Sequence, residues 1–263
     1  MYPAPIAPLE RSGARRQRHE FGRHGFAAGL AVARLKRDDA TMARTADLPT
    51  RTRRARAASW VAAAALAGFV AVFAMVKARR SDQIDLAITL RMQARQRPAV
   101  AALMRAASWP GFPPQSRVIP PVVITGLFLL DLRRAAVCQT LAWGTALTSE
   151  VIKRGIRRPR PLPEQVRVVL APLGGSSFPS GHVLTYVGNY GFMAYLAYTL
   201  VEPAPVGLSV AGGLIVLIGL VGPSRIYEGH HWPTDVAASY LLGFSYLLSL
   251  IWLYRRLLPA PAA

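Results

Sequence analysis

Three short segments concentrate residue types that could do chemistry. The first, KRGIRRPRP from Lys153 to Pro161, has five basic residues in nine; alone, such a run more often anchors a membrane segment. In the second, SSFPSGH, Ser180, Gly181 and His182 stand directly before an apolar run, where backbone N–H groups at a helix N-terminus attract anions. The third, PSRIYEGHHWPTD, carries Arg225, adjacent His230 and His231, and Asp235, with Pro233 suited to a first helical turn. Paired histidines alone are weak evidence for either a metal site or catalysis. Together, however, the segments hold the parts of a phosphoryl-transfer site: cations and N–H donors for the equatorial oxygens, an in-line nucleophile and an acid for the leaving oxygen. Lys153, Arg160 and Arg225 would supply charge, Arg in bidentate fashion, and Ser180 and the Gly181 N–H would be neutral donors.

Positioning these segments falls to long apolar runs. A helix needs roughly 20 apolar residues to cross a hydrocarbon core, and six candidates occur, near 58–76, 117–130, 135–152, 183–201, 206–221 and 236–254. The second is short and contains Pro120 and Pro121; it meets the third across Asp131-Leu132-Arg133-Arg134, which reads as a helical hairpin. Glu202-Pro203-Ala204-Pro205 turns the fourth into the fifth. The expected fold class is therefore all-α, a six-helix transmembrane bundle. Between the first two runs, Ile84/Ile88 and Leu86/Leu90 are four apart, and Val100, Leu103 and Met104 repeat the helical spacing. This segment reads as short amphipathic interfacial helices, with Trp109 and Phe112 at headgroup depth, or as a lid packed over the bundle. Six spans bring the loops 77–117, 153–182 and 222–235 to one membrane face, and hence all three segments together.

Composition agrees with a membrane protein: 52% of residues are hydrophobic and the mean hydropathy is +0.26. A net charge of +19 would ordinarily suggest nucleic acid. Thirteen of the 32 basic residues precede Ala57, however, and most others flank apolar runs, so no nucleic-acid partner is expected. Residues 1–57 are expected to be a basic, disordered tail, with Met42 an alternative start; residues 58–256 form the membrane domain and 257–263 a short C-terminal tail. The tail, the 131–134 turn and the C-terminus hold 17 Lys and Arg against 15 in the opposite loops, which favours cytoplasmic termini. Cys138, the single cysteine, allows no intrachain disulfide and reads as a small buried hydrophobe.

The spacings Lys-x6-Arg-Pro (Lys153 to Arg160-Pro161), Pro-Ser-Gly-His (Pro179 to His182) and Ser-Arg-x5-His-x3-Asp (Ser224-Arg225, His231, Asp235) resemble the signature of the type 2 phosphatidic acid phosphatase superfamily, in its membrane lipid-phosphatase branch. The resemblance covers about residues 58–254. It implies that His231 attacks phosphorus, His182 protonates the leaving group and Asp235 orients the nucleophile, in an inner-membrane protein whose active site faces the exterior. A carboxylate four residues beyond a histidine can accept its second ring N–H at helical spacing. His231 satisfies the spacing to both Arg225 and Asp235; His230 satisfies neither and is assigned a pocket-lining or structural role. A phosphohistidine would form and be hydrolysed by water. No metal or other cofactor is expected, because Lys and Arg provide the charge that Mg²⁺ supplies elsewhere.

The implied substrate is a lipid phosphate such as an isoprenoid diphosphate, phosphatidic acid or phosphatidylglycerophosphate, with membrane lipids as surroundings. Alternatives are a phosphotransferase using an alcohol acceptor, a silent scaffold or transporter, and a haloperoxidase-like oxyanion site, against which the apolar runs count. Glu150 is expected to pair with Lys153. Tyr186, Asn189 and Tyr190 would bond between helices or line a lipid path, and Glu228 could face the site entrance.

Overall fold

The computed structural model of the protein describes residues 48–169 and 174–257, so the expected basic tail falls mostly, and the C-terminal tail almost wholly, outside the described residues. Among the described residues there is no strand. Helices α1 (Leu48–Lys77), α2 (Asp82–Gln93), α3 (Pro98–Ser108), α4 (Gln115–Leu129), α5 (Arg133–Trp143), α6 (Thr145–Gly155), α7 (Gly181–Thr185), α8 (Gly191–Leu200), α9 (Ala204–Tyr227) and α10 (Pro233–Leu257) follow in order. A 3₁₀ turn at Trp109–Gly111 follows α3, and a π-helical turn at Tyr186–Tyr190 joins α7 to α8.

The first helix begins at Leu48, well upstream of the expected Ala58, because the Arg- and Ala-rich approach is itself made of strong helix formers. Arg79, at φ 53°, closes it: the Arg79 and Arg80 N–H groups bond back to the Val76 and Met75 carbonyls. The hairpin expected at 131–134 is present, with Asp131 at φ 59° turning α4 into α5.

Among the described residues three helices are long and apolar enough to cross a membrane: Arg56–Lys77, Ala204–Tyr227 and Pro233–Leu257. Only 11%, 22% and 33% of their most apolar windows are buried, leaving side chains such as Trp60, Leu208, Ile215 and Trp252 exposed. Apolar surface on that scale belongs against lipid, and this is an integral membrane protein. The other three expected runs are shorter or interrupted. α4 has 15 residues with Pro120 and Pro121 inside, α5 passes into α6 through Gly144, and α7 into α8 through the π turn.

The core lies where α7, the π turn, α9 and α10 meet, around Val183, Tyr186, Val187, Ile218, Val221 and Val236. α1 runs along α10, and Phe178 inserts between them, fully buried against Phe69, Phe73, Val76 and Ala238. That insertion fixes the loop ahead of His182.

Helix α2 divides into an apolar and a polar face, and the polar one is buried. Its apolar residues Ile84, Ile88 and Leu90 are exposed, whereas Asp85, Thr89 and Gln93, together with the preceding Ser81, form a buried stripe at four-residue spacing. The polar stripe has partners inside: Gln93 donates to the Arg167 and Tyr227 carbonyls and accepts from the Arg167 N–H. The apolar side is left facing outward.

Candidate active site

The C-terminal ends of α1, α6 and α9 and the N-terminal ends of α7 and α10 converge, as the expected grouping of loops requires. Gly229, in the left-handed region at φ 71°, turns the chain out of α9, and the His230 and His231 N–H groups both bond to the Arg225 carbonyl. The turn sends the adjacent histidines in opposite directions. His230 Nδ1 contacts Arg225 Nη2, and Arg225 is held by Glu228 at 2.8 Å and Ser108 at 2.9 Å. His231 points the other way, with Nδ1 2.7 Å from the Ser177 carbonyl and Nε2 3.3 Å from Arg160 Nη1.

A cavity of about 680 Å³ opens on His231, His182, Lys153, Arg160 and Gly181 at one end. From there it extends among Pro120, Trp143, Leu147, Tyr186 and Tyr190. Its polar end is under-satisfied: Ser149 Oγ and His182 Nε2, which line it, and the adjacent Ser180 Oγ are buried without a hydrogen-bond partner among the described residues, as are Gln139 Oε1, Arg225 Nε and His230 Nε2 elsewhere. A native interior pairs most such groups, so three together mark a place prepared for a polar guest. Gly181 keeps it open, since a β-carbon there would lie 3.3 Å from Ser149 Oγ and 3.4 Å from Lys153 Nζ. Lys153 forms the expected local pair with Glu150, at 2.9 Å. His182 is held from above by the Phe112 ring, 4.7 Å away centre to centre, and Phe112 also lies 5.0 Å beneath the Arg225 guanidinium. Phe112 thus lies between His182 and Arg225.

Several expectations are corrected. Asp235 is not the hydrogen-bond partner of His231: its Oδ2 lies 3.7 Å from His231 Nδ1 and accepts from the Trp232 N–H at 2.9 Å, while Oδ1 pairs with Arg158 at 2.5 Å. The Ser177 carbonyl is closer and takes the imidazole N–H. Arg225 is wholly buried behind His230 and committed to Glu228 and Ser108, so it does not line the cavity. Glu228, which could have faced an entrance, is buried with it. The Ser180 N–H is occupied by Ser239 Oγ at 2.8 Å, which leaves the Ser180 hydroxyl as that residue's free donor. Asn189 accepts from Gln139 across helices, and Tyr186 and Tyr190 donate to carbonyls of residues 107–110, so bonding between helices and cavity lining both hold.

Missed by the sequence is a buried cluster behind Asp235. Arg158 bridges Asp235 and Asp85, at 2.5 and 2.6 Å, and donates to Ser81 and Thr234. Asp85 also accepts from the Thr234 N–H and hydroxyl. Burial alone would lower the Arg158 pKa, but Asp235 and Asp85 outweigh it and raise it above its ordinary value. Arg160 moves the other way, lowered by burial against weaker support from Asp235 and Glu150. Burial likewise lowers His230, and pushes His231 well below the usual imidazole range with help from Arg160 and Arg225. Burial and the two guanidinium groups thus favour the neutral imidazole at His231, with Nδ1 at the Ser177 carbonyl and Nε2 beside Arg160 at the cavity. Among the described residues no three His, Cys, Asp or Glu side chains are grouped to hold a metal ion.

A family model described as the PAP2 superfamily matches residues 135–258. Over those residues the chain is similar to the PAP2 superfamily. The match takes in all three segments. A phosphatidylglycerophosphatase B of Bacillus subtilis is 33% identical over 141 residues, 49% of this chain and 63% of that relative. An undecaprenyl-diphosphatase of Sulfolobus acidocaldarius is 40% identical over 67 residues, 26% of this chain and 28% of that relative. The chain thus spans less than two thirds of these relatives. The crystal structure of a transmembrane PAP2-type phosphatidylglycerolphosphate phosphatase from Bacillus subtilis superposes with a TM-score of 0.67 at 22% identity, over 75% of this chain and 98% of that one. The fold is the same.

Proposed function

We propose that the protein is a membrane lipid phosphatase that works through a phosphohistidine on His231. The observation that carries this reading is the cavity itself, with the buried His231, the half-buried His182 and two cations at one end and apolar and aromatic side chains at the other. A phosphate would enter the polar end while its lipid tail stayed among the helices. The PAP2 relatives, named as lipid phosphatases, fit that division.

In the proposed reaction the His231 Nε2 lone pair attacks phosphorus, and the bond from phosphorus to the lipid oxygen breaks. His182, charged in the substrate complex because the bound phosphate anion offsets its burial and the nearby cations, passes its Nε2 proton to that oxygen and becomes neutral. Lys153, Arg160, the Ser180 hydroxyl and the Gly181 N–H hold the equatorial oxygens, and Ser149 joins them. Arg225 acts from behind, by fixing His230 and Phe112. Water then attacks the phosphohistidine, gives its proton to His182, and restores a neutral His231. Lys and Arg balance the charge, and no metal takes part. Asp235 stabilises the imidazolium character that develops, from 3.7 Å rather than by direct hydrogen bonding.

In this reading six spans cross a bacterial inner membrane, with Leu48 and Leu257 towards the cytoplasm and the cavity mouth outside. A lipid phosphotransferase would use the same site with an alcohol in place of water. The test is phosphate release from phosphatidylglycerophosphate, phosphatidic acid and undecaprenyl diphosphate by purified wild type and His231→Ala, each with EDTA. Release by wild type alone, unaffected by EDTA, is expected. Activity that required an added divalent ion would end the metal-free mechanism.

A further inference from the structure

The segment that precedes the matched family region contributes a carboxylate to the catalytic end of the fold. Asp85, on α2, is fully buried, and each of its oxygens has work there. Oδ1 accepts the Thr234 N–H at 2.8 Å; Oδ2 accepts the Thr234 hydroxyl at 2.7 Å and Arg158 Nη2 at 2.6 Å. Thr234 is the second residue of α10, so Asp85 serves as a remote cap for that helix. The first N–H groups of a helix lack partners within it, and a negative charge beside them is favoured by the helix dipole.

The same carboxylate fixes Arg158, whose other nitrogen holds Asp235 Oδ1. Asp235 in turn accepts the Trp232 N–H, and Trp232 follows His231 directly. Two routes therefore connect Asp85 to the nucleophile: one through the first turn of α10, the other through Arg158 and Asp235. Neither touches the cavity.

We propose that Asp85 is a positioning residue for His231, acting through Arg158 and the first turn of α10. The inference rests on His231 being the nucleophile. Asn at position 85 keeps an oxygen acceptor for Thr234 but removes the charge facing Arg158, so substrate binding is retained while alignment is lost. A misplacement of about 1 Å can lower a rate by on the order of 100-fold.

The test is a pair of double-mutant cycles on the full chain in detergent, with a short-chain phosphatidic acid as substrate. Asp85→Asn is combined in one with Asp235→Asn and in the other with Lys153→Ala. The expected results are a kcat lowered roughly 10- to 100-fold with KM within about threefold. In Asp85→Asn/Asp235→Asn the loss should be little more than for Asp235→Asn alone, because both act in one unit. With Lys153→Ala the losses should multiply. A kcat within about threefold of wild type, or losses that multiply with Asp235→Asn, would overturn the proposal. Should Asp85→Asn fail to give folded protein, Asp85→Glu takes its place in both cycles under the same criteria. Inactive wild type, or active His231→Ala, would instead overturn the phosphatase reading beneath it.

Discussion

The two sides of the catalytic turn are satisfied to very different degrees. Towards the cavity, Ser149 Oγ, Ser180 Oγ and His182 Nε2 are buried with no partner among the described residues. Behind it, Asp85, Arg158, Thr234 and Asp235 are buried just as deeply, yet they bind one another at 2.5–2.8 Å. Both sides are polar and enclosed, so burial of polar groups alone does not distinguish a site from its support. Satisfaction does. The unsatisfied side is where a ligand's oxygens belong, and the satisfied side holds it in place.

Substitutions on the two sides should therefore fail in different ways. The largest effect is expected from Arg158→Ala, which leaves two carboxylates buried without their cation. Losing one member of a buried ion pair costs about 3–5 kcal/mol, so thermal unfolding should move down by many degrees and activity should vanish with the fold. A near-normal melting temperature would show that the back side is not structural. His182→Ala should leave the melt nearly unchanged while kcat falls on the order of 10²–10⁴-fold, the range for a lost general acid. A substrate with a good leaving group, such as p-nitrophenyl phosphate, should be hurt less, and equal losses on both substrates would deny His182 the proton-donor role.

The pH profile separates the sides further. Burial, Arg160 and Arg225 lower the His231 pKa, and the neutral imidazole is the nucleophile. The acid limb of kcat/KM should therefore lie below the ordinary histidine value of about 6.5. A limb at or above that value would contradict the placement of His231. The same sign holds for stability: a base with a depressed folded pKa opposes folding once it must protonate, so stability is lost as pH falls below the unfolded value. Smaller still is the effect expected of Ser149→Ala, which removes one donor from the cavity: KM for the lipid phosphate rises by up to about tenfold, with kcat less affected. No change in KM would remove Ser149 from the site.

How much of this was legible before the structure depends on the range of the interactions. Lys153, Arg160, His182 and His231 could be assembled because each sits at the end of an apolar run, and helix ends in a membrane protein have only two faces to share. The hairpin at 131–134 and the Glu150–Lys153 pair are local and were readable for that reason. The partner of Asp235 was not. Arg158 lies 77 residues away and Asp85 another 73 from Arg158, and no local spacing encodes either pair.

Helix α2 shows a different failure. The four-apart Ile and Leu pairs marked an amphipathic helix, but the spacing did not show that the stripe Ser81, Asp85, Thr89 and Gln93 is its buried face. Against lipid, the apolar face points outward and the polar stripe inward, the reverse of a water-soluble helix. Spacing favoured His231 over His230, but it could not show that the Ser177 carbonyl lies closer to the His231 imidazole than Asp235 does. Backbone acceptors leave no mark on residue type.

The central claim is a covalent bond between phosphorus and His231. Purified protein mixed with a ³²P-labelled lipid phosphate, quenched within milliseconds in alkali and digested for mass spectrometry, tests it directly. The account predicts an acid-labile, alkali-stable label on the peptide containing His231, absent from His231→Ala. Label on another residue, or turnover by His231→Ala with no labelled intermediate, would contradict it.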